Sequence, residues 1–437
     1  MKRFTTITLG CKVNQCESAA ICQRLSDSGL QAVHDQIKPD VVVINTCTVT
    51  GKAAMQSRQA VRQAIRKYPQ AQIIVTGCYA QTAPEEIQAM PGVDLVVGHE
   101  DKLRLDEVIS RGAPNLSPLG PRSRTEGDSC EFSALPSIAR EDRTRAFLKI
   151  QDGCNTRCTY CIVPYARGNS RSMPPAEVLD HLRQLGRDGI KEVVLTGIHL
   201  GAYGSDFRPP MPLPVLLQSI NAEGPVHRIR LSSIEPTEVD SRLIELIAFS
   251  HGKLCRHLHI PLQSGDDTIL RRMGRPYSRE QFAQVIKEIH RQMPEAAIGV
   301  DVMAGFPGET DEAFENSYHL IEELPVTYLH VFPFSARKGT PAAGFKPKVP
   351  ERISKDRCLR LRLLGQAKQK AFYQSMVGRH LEVLIESNEN GRAKGWSDNY
   401  LPVIIPEVLV EANHLVMTQI IGLNSEGEVV AHLVNKQ

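Results

Sequence analysis

Short apolar runs separated by helix-length segments of mixed charge recur along most of the chain, and that alternation permits few folds. From Phe4 to about Ser110 the runs are ThrIleThrLeu at 6–9, ValValValIle at 41–44, IleIleVal at 73–75 and LeuValVal at 95–97. A strand followed by a helix before the next strand pairs in parallel, so this block predicts an open parallel sheet with helices on its faces. From 112 to 137, twelve of 26 residues are Gly, Pro or Ser without a sustained period, which predicts a linker rather than a packed core. Six further runs follow: PheLeuLysIle at 147, ValValLeu at 193, IleArgLeu at 229, LeuHisIle at 258, IleGlyValAspVal at 298 and LeuHisValPhe at 329. Repeated β-α units in one domain predict a doubly wound sheet or a full or partial barrel, with the active face at the strand C-terminal ends.

The pattern from Glu351 to Met376 is helical, with Ile353, Leu359, Leu363, Leu364, Ala367, Ala371 and Phe372 expected on or near one stripe. Beyond it, LeuGluValLeuIle and ValMetThrGlnIleIle, broken by Asn-Gly and Glu-Gly turns, predict a small β-barrel of about 60 residues. The expected fold class is therefore α/β with three domains. They are an open parallel sheet over 1–111, a partial six-strand β/α barrel over 140–373 after a linker at 112–139, and a small all-β barrel over 374–437.

Lys plus Arg (52) against Asp plus Glu (49) leaves a formal charge of +3, too balanced for a polybasic coat to govern binding, so any basic surface is local. No apolar run approaches the roughly 18 residues of a membrane span, and Met1-Lys2-Arg3 leads into a strand-like stretch rather than a signal segment. The chain reads as soluble and cytoplasmic, without a membrane partner. In that setting its 11 cysteines are expected to bind metal or do chemistry rather than form disulfides.

Cys154, Cys158 and Cys161 lie in GlyCysAsnThrArgCysThrTyrCys, directly after a predicted barrel strand. Three thiolates on one tight loop can hold three irons of a cubane cluster and leave the fourth open to a reactant. The plain alternative is a zinc knuckle, but structural zinc takes four ligands and no fourth Cys lies nearby. The spacing, with Tyr160 before the last Cys, resembles the radical S-adenosylmethionine (SAM) enzymes. The resemblance implies that SAM chelates the open iron and is split by the reduced cluster to methionine and a hydrogen-abstracting 5′-deoxyadenosyl radical. Gly305-Phe306-Pro307-Gly308-Glu309 looks like that family's glycine-rich segment beside the SAM adenine, where missing side chains let backbone approach the ligand. Thr196, Gly197, Ser232, Ser233 and Glu235 fall at the ends of strands two and three, where barrels place ligand contacts. Helix capping and turn formation are the ordinary alternative for them.

Three more cysteines are scattered in sequence but placed alike. Cys11, Cys47 and Cys78 each follow a strand of the first block, and the carboxyl ends of an open parallel sheet share one edge, so the three are expected to converge. Buried, inert cysteine is the alternative for any one of them. Cys16, Cys22, Cys130, Cys255 and Cys358 share no such geometry and are assigned to packing or surface.

Two triplets in this order, with GlyCysLysValAsnGlnCysGlu, AsnThrCysThrVal and GlyCysTyrAlaGln around the first, resemble the methylthiotransferases nearly end to end. Their C-terminal TRAM domain is matched by Gly391, Gly395, Asn399 and Tyr400. The resemblance implies two 4Fe-4S clusters and two uses of SAM. One SAM methylates a sulfur atom on the N-terminal cluster; the other makes the radical that opens the substrate C–H bond for methylthio insertion. It also implies an electron donor and a sulfur donor. GlyCysLysValAsnGln, ThrValThr after Cys47 and IleValProTyrAlaArgGly after Cys161 are similar to the branch that acts on C2 of N6-threonylcarbamoyladenosine beside the tRNA anticodon. Other branches take isopentenyladenosine or a ribosomal-protein aspartate. A non-catalytic, zinc-dependent RNA-binding protein is the reading from a different class.

The charge pattern assigns the tRNA contacts. Residues 374–437 carry four basic and eight acidic side chains, poor for phosphate, so Trp396 or Tyr400 is expected to offer a stacking surface or simply pack. Residues 350–379 carry eight basic residues against two acidic ones, and 271–279 add four Arg. Arg360, Arg362, Lys368 and Lys370 are expected to lead a tRNA-facing track, with a solvated helix face as the alternative.

Overall fold

The computed structural model describes residues 1–33, 37–111, 116, 119–121, 132 and 144–434. Most of the expected linker, and Cys130 with it, lies outside the described residues. By compactness the chain divides into two units, neither of them one continuous stretch. The first comprises Met1–Ile138, Gln151–Arg171 and Ser335–Gly344; the second comprises Ala139–Ile150, Ser172–Phe334 and Phe345–Gln437.

In the first unit, strands β1 (Arg3–Thr8), β2 (Gln31–Ala32), β3 (Val41–Thr46), β4 (Gln72–Gly77) and β5 (Leu95–Val96) form a parallel sheet in the order β2-β1-β3-β4-β5. The period of two explains why β3 is apolar throughout. Val42 and Ile44 pack with Ala54, Val61 and Ala64 of the helix Gly51–Lys67, while Val41 and Val43 pack with Ile21 and Leu25 of the helix Lys12–Asp27. The strand order reverses between β1 and β3, and in open α/β sheets ligands bind beyond the carboxyl ends at such a switch point. The edge strand β2 was not anticipated, because its two residues are exposed and carry no apolar signal.

Two-residue strands β7 (Gln151–Asp152) and β8 (Arg171–Ser172) flank the Cys154–Cys161 loop in the chain. The second unit contains β6 (Arg145–Lys149), β9 (Glu192–Thr196), β10 (Arg228–Leu231), β11 (His257–His259), β12 (Ala297–Ala304) and β13 (Tyr328–Pro333). They pair in parallel as β10-β9-β6 and β11-β12-β13, and a parallel bridge between Ile229 and Leu254 joins the two groups. All six strand positions expected from the apolar runs are present, and β6 and β13 do not pair among the described residues, which leaves the barrel open.

The helix Glu351–Ser375 covers β13 with only part of the expected stripe: Leu364 is buried and Phe372 packs against the small-barrel core. Ile353, Leu359 and Leu363 are 40%, 53% and 57% exposed, and the buried face is instead Ser354, Arg357, Cys358, Leu361, Leu364 and Gly365. The reason is local: Gly365 admits the Leu329 side chain of β13, and Arg357 turns inward to Glu309 and Asp311 at 2.5 and 2.6 Å. Counting apolar positions therefore finds Leu364 but misses the polar and small residues that complete the buried face.

Strands β14 (His380–Glu389), β15 (Arg392–Ser397), β16 (Pro402–Ile405), β17 (Leu415–Leu423) and β18 (Val429–Leu433) close into the expected small barrel around Leu381, Val383, Ile385, Val403 and Ile420. A buried ionic joint holds it to the six-strand barrel of the same unit. Arg228 and Arg230, both essentially inaccessible, share Glu192. Their remaining N–H groups donate to the carbonyls of Trp396, Ser397 and Asp398 at 2.8 to 3.0 Å. Arg256 pairs with Asp398, and the Asn399 amide donates to the Glu295 carbonyl. Charge this deeply buried is tolerated only when nearly every donor is used. No helix among the described residues is long and apolar enough to cross a membrane.

Candidate functional site

Cys11, Cys47 and Cys78 follow β1, β3 and β4 at the carboxyl edge of the first sheet, as expected. Their loops are fixed by side chains that replace missing ladder bonds. Asn14 Nδ2 donates to the carbonyls of Leu9 and Thr46 at 2.7 and 3.1 Å. Ser57 Oγ donates to the Cys47 carbonyl at 2.8 Å and accepts from the Cys47 N–H. Thr46 Oγ1 donates to the Thr76 carbonyl at 2.6 Å. Gly10 is required between strand and ligand. Its φ is +102°, and a Cβ there would stand 2.7 Å from Cys47 Cβ and 2.9 Å from its Sγ.

Burial pushes the Cys47 thiol up and the Cys78 thiol up to about 12, the latter opposed by the nearby Arg167 guanidinium. Buried thiols of this kind become thiolates only with a cation to hold, which is what a metal centre provides. Among the described residues, the only set gathered tightly enough for a single ion is His259, Asp301 and His330. Three thiols per site, with no fourth among the described residues, are the donor set that suits a cubane cluster with one open iron, whereas structural zinc takes four ligands.

The second triplet lies in the same compact unit. Cys158 is buried and Cys154 and Cys161 are half-buried. The Cys154 N–H donates to the Gly168 carbonyl and the Cys161 N–H to that of Cys158, each at 3.0 Å. Arg167, 1% exposed, ties this loop to the first triplet's helix. Its guanidinium donates to Glu17 at 2.8 and 3.2 Å, to Asp152 at 2.9 Å and to Asn14 at 2.7 Å. Lys102 reaches the same Glu17 at 2.5 Å. The helix Val163–Arg167 packs on the helix Cys78–Thr82. Arg167 Nε is buried without a hydrogen-bond partner among the described residues, a donor left over beside Cys78. A third segment, Ser335–Gly344, touches the residues that follow Cys47 and Cys158. Arg337 donates to Thr48 at 2.7 Å, and the Ala342 N–H donates to the Thr159 carbonyl at 2.9 Å.

Asn14, Glu17 and Arg167 lie within the motif stretches around the cysteines, and no role for them follows from the spacing. Glu17 shares its helix with the buried Val13, Ala20 and Ile21, and a carboxylate on an apolar face demands a cationic partner. That signal was readable, though the identity of the partner was not.

Of the residues assigned to SAM, Tyr160 is half-buried in the first unit and the other seven belong to the second. Thr196 ends β9, and the Ser232 N–H donates to the Leu195 carbonyl. Ser232 Oγ is buried and has no hydrogen-bond partner among the described residues. Gly197 and Ser233 lie beside them, half-buried and exposed. Glu235 pairs with the buried Arg275, and burial pushes its carboxyl up against that partner. Arg275 is thus taken out of the expected tRNA track. Gly305 is needed by packing, since a Cβ there would fall 2.7 Å from Ser354 Cβ. The Gly308 N–H donates to the Pro347 carbonyl at 2.8 Å.

The expected track is also divided on the long helix. Arg360 pairs with Glu315 at 2.6 Å and lies over Phe314 and Tyr318. Lys368 donates to the carbonyls of Glu322 and Leu324, capping a neighbouring helix end. Both cations are consumed by acceptors within the protein, whereas Arg362 and Lys370 are exposed.

Within the barrel, Asp301 accepts from His259 at 2.9 Å and lies 3.3 Å from His330. Burial alone would push its carboxyl up, but the hydrogen bonds from the two histidines outweigh it and hold it far below the usual range.

Residues 148–321 match the Radical SAM superfamily, and residues 3–98 match Uncharacterized protein family UPF0004. Threonylcarbamoyladenosine tRNA methylthiotransferase MtaB of Bacillus subtilis is 42% identical over 91% of this chain and 89% of its own length. The protein of that name from Aquifex aeolicus is 39% identical over 91% and 95%. tRNA-2-methylthio-N(6)-dimethylallyladenosine synthase of Protochlamydia amoebophila is 32% identical over 91% and 90%. Among solved structures, the radical S-adenosylmethionine methyltransferase TsrM of Kitasatospora setae shares the fold. It aligns with a TM-score of 0.58 and 18% identity over 78% of this chain and 77% of that one.

Proposed function

The chain belongs to the radical SAM methylthiotransferases, and we propose that it installs a methylthio group at C2 of N6-threonylcarbamoyladenosine beside the tRNA anticodon. The observation that carries the reading is that Cys11, Cys47 and Cys78 meet at one sheet edge, inside the compact unit that also holds Cys154, Cys158 and Cys161. Two three-cysteine sites suit a reaction in which opening a C–H bond and delivering sulfur are separate tasks. The substrate branch is supported by the relatives, since those bearing the threonylcarbamoyladenosine name run from 33% to 42% identity, against 32% and 33% for two dimethylallyladenosine synthases.

In this proposal Cys11, Cys47 and Cys78 hold one 4Fe-4S cluster, and Cys154, Cys158 and Cys161 hold the other. With SAM, these groups supply a methylated sulfur and a carbon-centred radical when bound. The chain's own residues fix and shield them. Arg167 and Glu17 lock the second triplet's loop to the helix behind the first, and the Arg167 charge offsets that of the Cys78 thiolate. Thr196, Gly197, Ser232, Ser233, Glu235, Gly305 and Gly308 of the second unit are proposed to contact SAM, and Tyr160 is proposed as a SAM contact on the first unit's cysteine loop. The residues present supply neither sulfur nor electrons, so a sulfur donor and a reducing donor complete the system. The protein is proposed to act in the cytoplasm.

The test is mass spectrometry of nucleosides from total tRNA of the host with and without this gene. The expected result is loss of 2-methylthio-N6-threonylcarbamoyladenosine and accumulation of its unthiolated precursor. Unchanged tRNA would overturn the substrate; loss of the isopentenyladenosine product instead would move the chain to the neighbouring branch.

Since Arg360 and Lys368 are occupied, phosphate contact falls to Arg362 and Lys370. Charge reversal of both to Glu should weaken tRNA binding and reduce the slope of log affinity against log salt by about 1.5, the loss expected for two phosphate contacts. Reversal of Arg360 and Lys368 alone should leave that slope unchanged. Filter binding across a salt series measures both.

A further inference from the structure

The edge of the first sheet where Cys11, Cys47 and Cys78 meet also carries an imidazole. Strand β5 pairs with β4, and His99 follows β5 as Cys78 follows β4. Both residues therefore lie beyond the carboxyl ends of neighbouring parallel strands, where such sheets gather ligands. The His99 N–H donates to Gln81 Oε1 at 3.0 Å, and Gln81 belongs to the helix Cys78–Thr82. Gly98 permits that approach, since a Cβ there would stand 2.8 Å from the same oxygen. The imidazole is thus tied to the helix whose first residue is Cys78.

His99 is 8% exposed, and its surroundings fix its tautomer. Lys102 Nζ lies 2.8 Å from His99 Nδ1 and 2.5 Å from the buried Glu17 carboxylate. An ammonium has only donors, so Nδ1 accepts from it and the proton of the neutral ring sits on Nε2. Burial first, and then the Lys102 charge, push the imidazole well below its usual range, which keeps the ring neutral. The Nε2–H is buried and finds no acceptor among the described residues. A buried donor left unmatched is costly and rare, so this one calls for a group that completes it. The Arg167 charge acts on both the Cys78 thiol and the His99 imidazole. All of these groups belong to the first unit.

We propose that the His99 Nε2–H donates a hydrogen bond to a sulfur of the iron-sulfur cluster held by Cys11, Cys47 and Cys78, and so raises that cluster's reduction potential. The proposal rests on the reading of this triplet as a cluster site. Sulfur is the acceptor such a centre offers, and a hydrogen bond to it favours the reduced core, which carries the greater negative charge. Two clusters with the same three-thiolate ligand set can then stand at different potentials within one compact unit.

The test uses the full chain carrying Cys158→Ala, which leaves the first cluster alone, reconstituted anaerobically and followed by EPR against applied potential. His99→Leu occupies similar space without a donor. It should keep its iron and lower the midpoint by a tenfold change in the reduction equilibrium, about 59 mV for one electron. His99→Gln, whose side-chain amide restores an N–H, should recover most of that shift. A purely structural role for the ring would not produce this pairing of full iron with a moved midpoint. Pulsed EPR of the same Cys158→Ala protein, grown with histidine labelled with the heavy nitrogen isotope, should show a weak nitrogen coupling to the reduced cluster that His99→Gln removes. That measurement decides the matter if His99→Leu loses its cluster or does not fold. An unchanged midpoint in His99→Leu at full iron content, or no nitrogen coupling that depends on His99, would overturn the proposal and mean that an ordered water completes the ring. Absence of any iron-sulfur signal from the Cys158→Ala protein would overturn the cluster reading of the first triplet, and this proposal with it.

Discussion

Replacing Cys158 by Ala is expected to abolish 5′-deoxyadenosine formation while methyl transfer from SAM to protein-bound sulfur survives; replacing Cys47 by Ala is expected to do the reverse. Each variant should lose roughly half of the iron, because each triplet is proposed to hold one of two similar clusters. The separation follows from the structure of the sites. Cys47 is anchored through Ser57, and Cys158 sits in a loop anchored through Gly168 and Arg167. Neither substitution removes the backbone contacts that hold the other triplet. Chromatographic assay of 5′-deoxyadenosine under reducing, anaerobic conditions and transfer of labelled methyl to protein measure the two steps separately. If both variants lost the same single step, the assignment of one task to each triplet would be wrong.

The second large effect is on stability and needs no cluster ligand to be touched. Arg167→Met should destabilise the first unit by about 3 kcal/mol, the low end of the cost of breaking a buried ion pair. The low end applies because Glu17, fully buried, keeps Lys102 at 2.5 Å, and Asp152 keeps Arg171 at 3.6 Å. Arg167→Lys should recover only part of the loss, since one ammonium cannot serve Glu17, Asp152 and Asn14 together. Denaturant midpoints of the metal-free protein isolate this term from stabilisation by bound clusters. A midpoint equal to that of the parent would mean that Lys102 alone satisfies Glu17.

These two results probe different levels of the molecule. The cysteine spacing of the second triplet is local, and it is legible because three cysteines within eight residues leave few geometries. The first triplet was legible through topology, since residues after parallel strands share an edge whatever the side chains are. Neither argument reaches Arg167, whose partners lie 150 residues away on Glu17 and 153 away on Asn14. The basic track shows the opposite failure. Eight cations in one stretch suggest a surface for RNA, but Arg357, Arg360 and Lys368 are each satisfied by acceptors of the 309–324 region. A count of charges does not say which of them face solvent.

What the sequence by itself determined are the properties carried by near neighbours and by period. Alternating strand and helix patterns required parallel sheets. Turn residues between short apolar runs required a small barrel, and the cysteine placement put one triplet on a tight loop and the other at the ends of three parallel strands. What only the tertiary structure decided is which distant groups meet. It turned Arg357 and Gly365 inward and Leu359 and Leu363 outward on one helix, seated the small barrel on Arg228 and Arg230, and stacked Tyr400 of that barrel on His257. The physical reason is that periodicity constrains one residue against the next few. The choice of partner for a buried charge or an open ring face is made across the whole fold, where desolvation forces every such group to be matched.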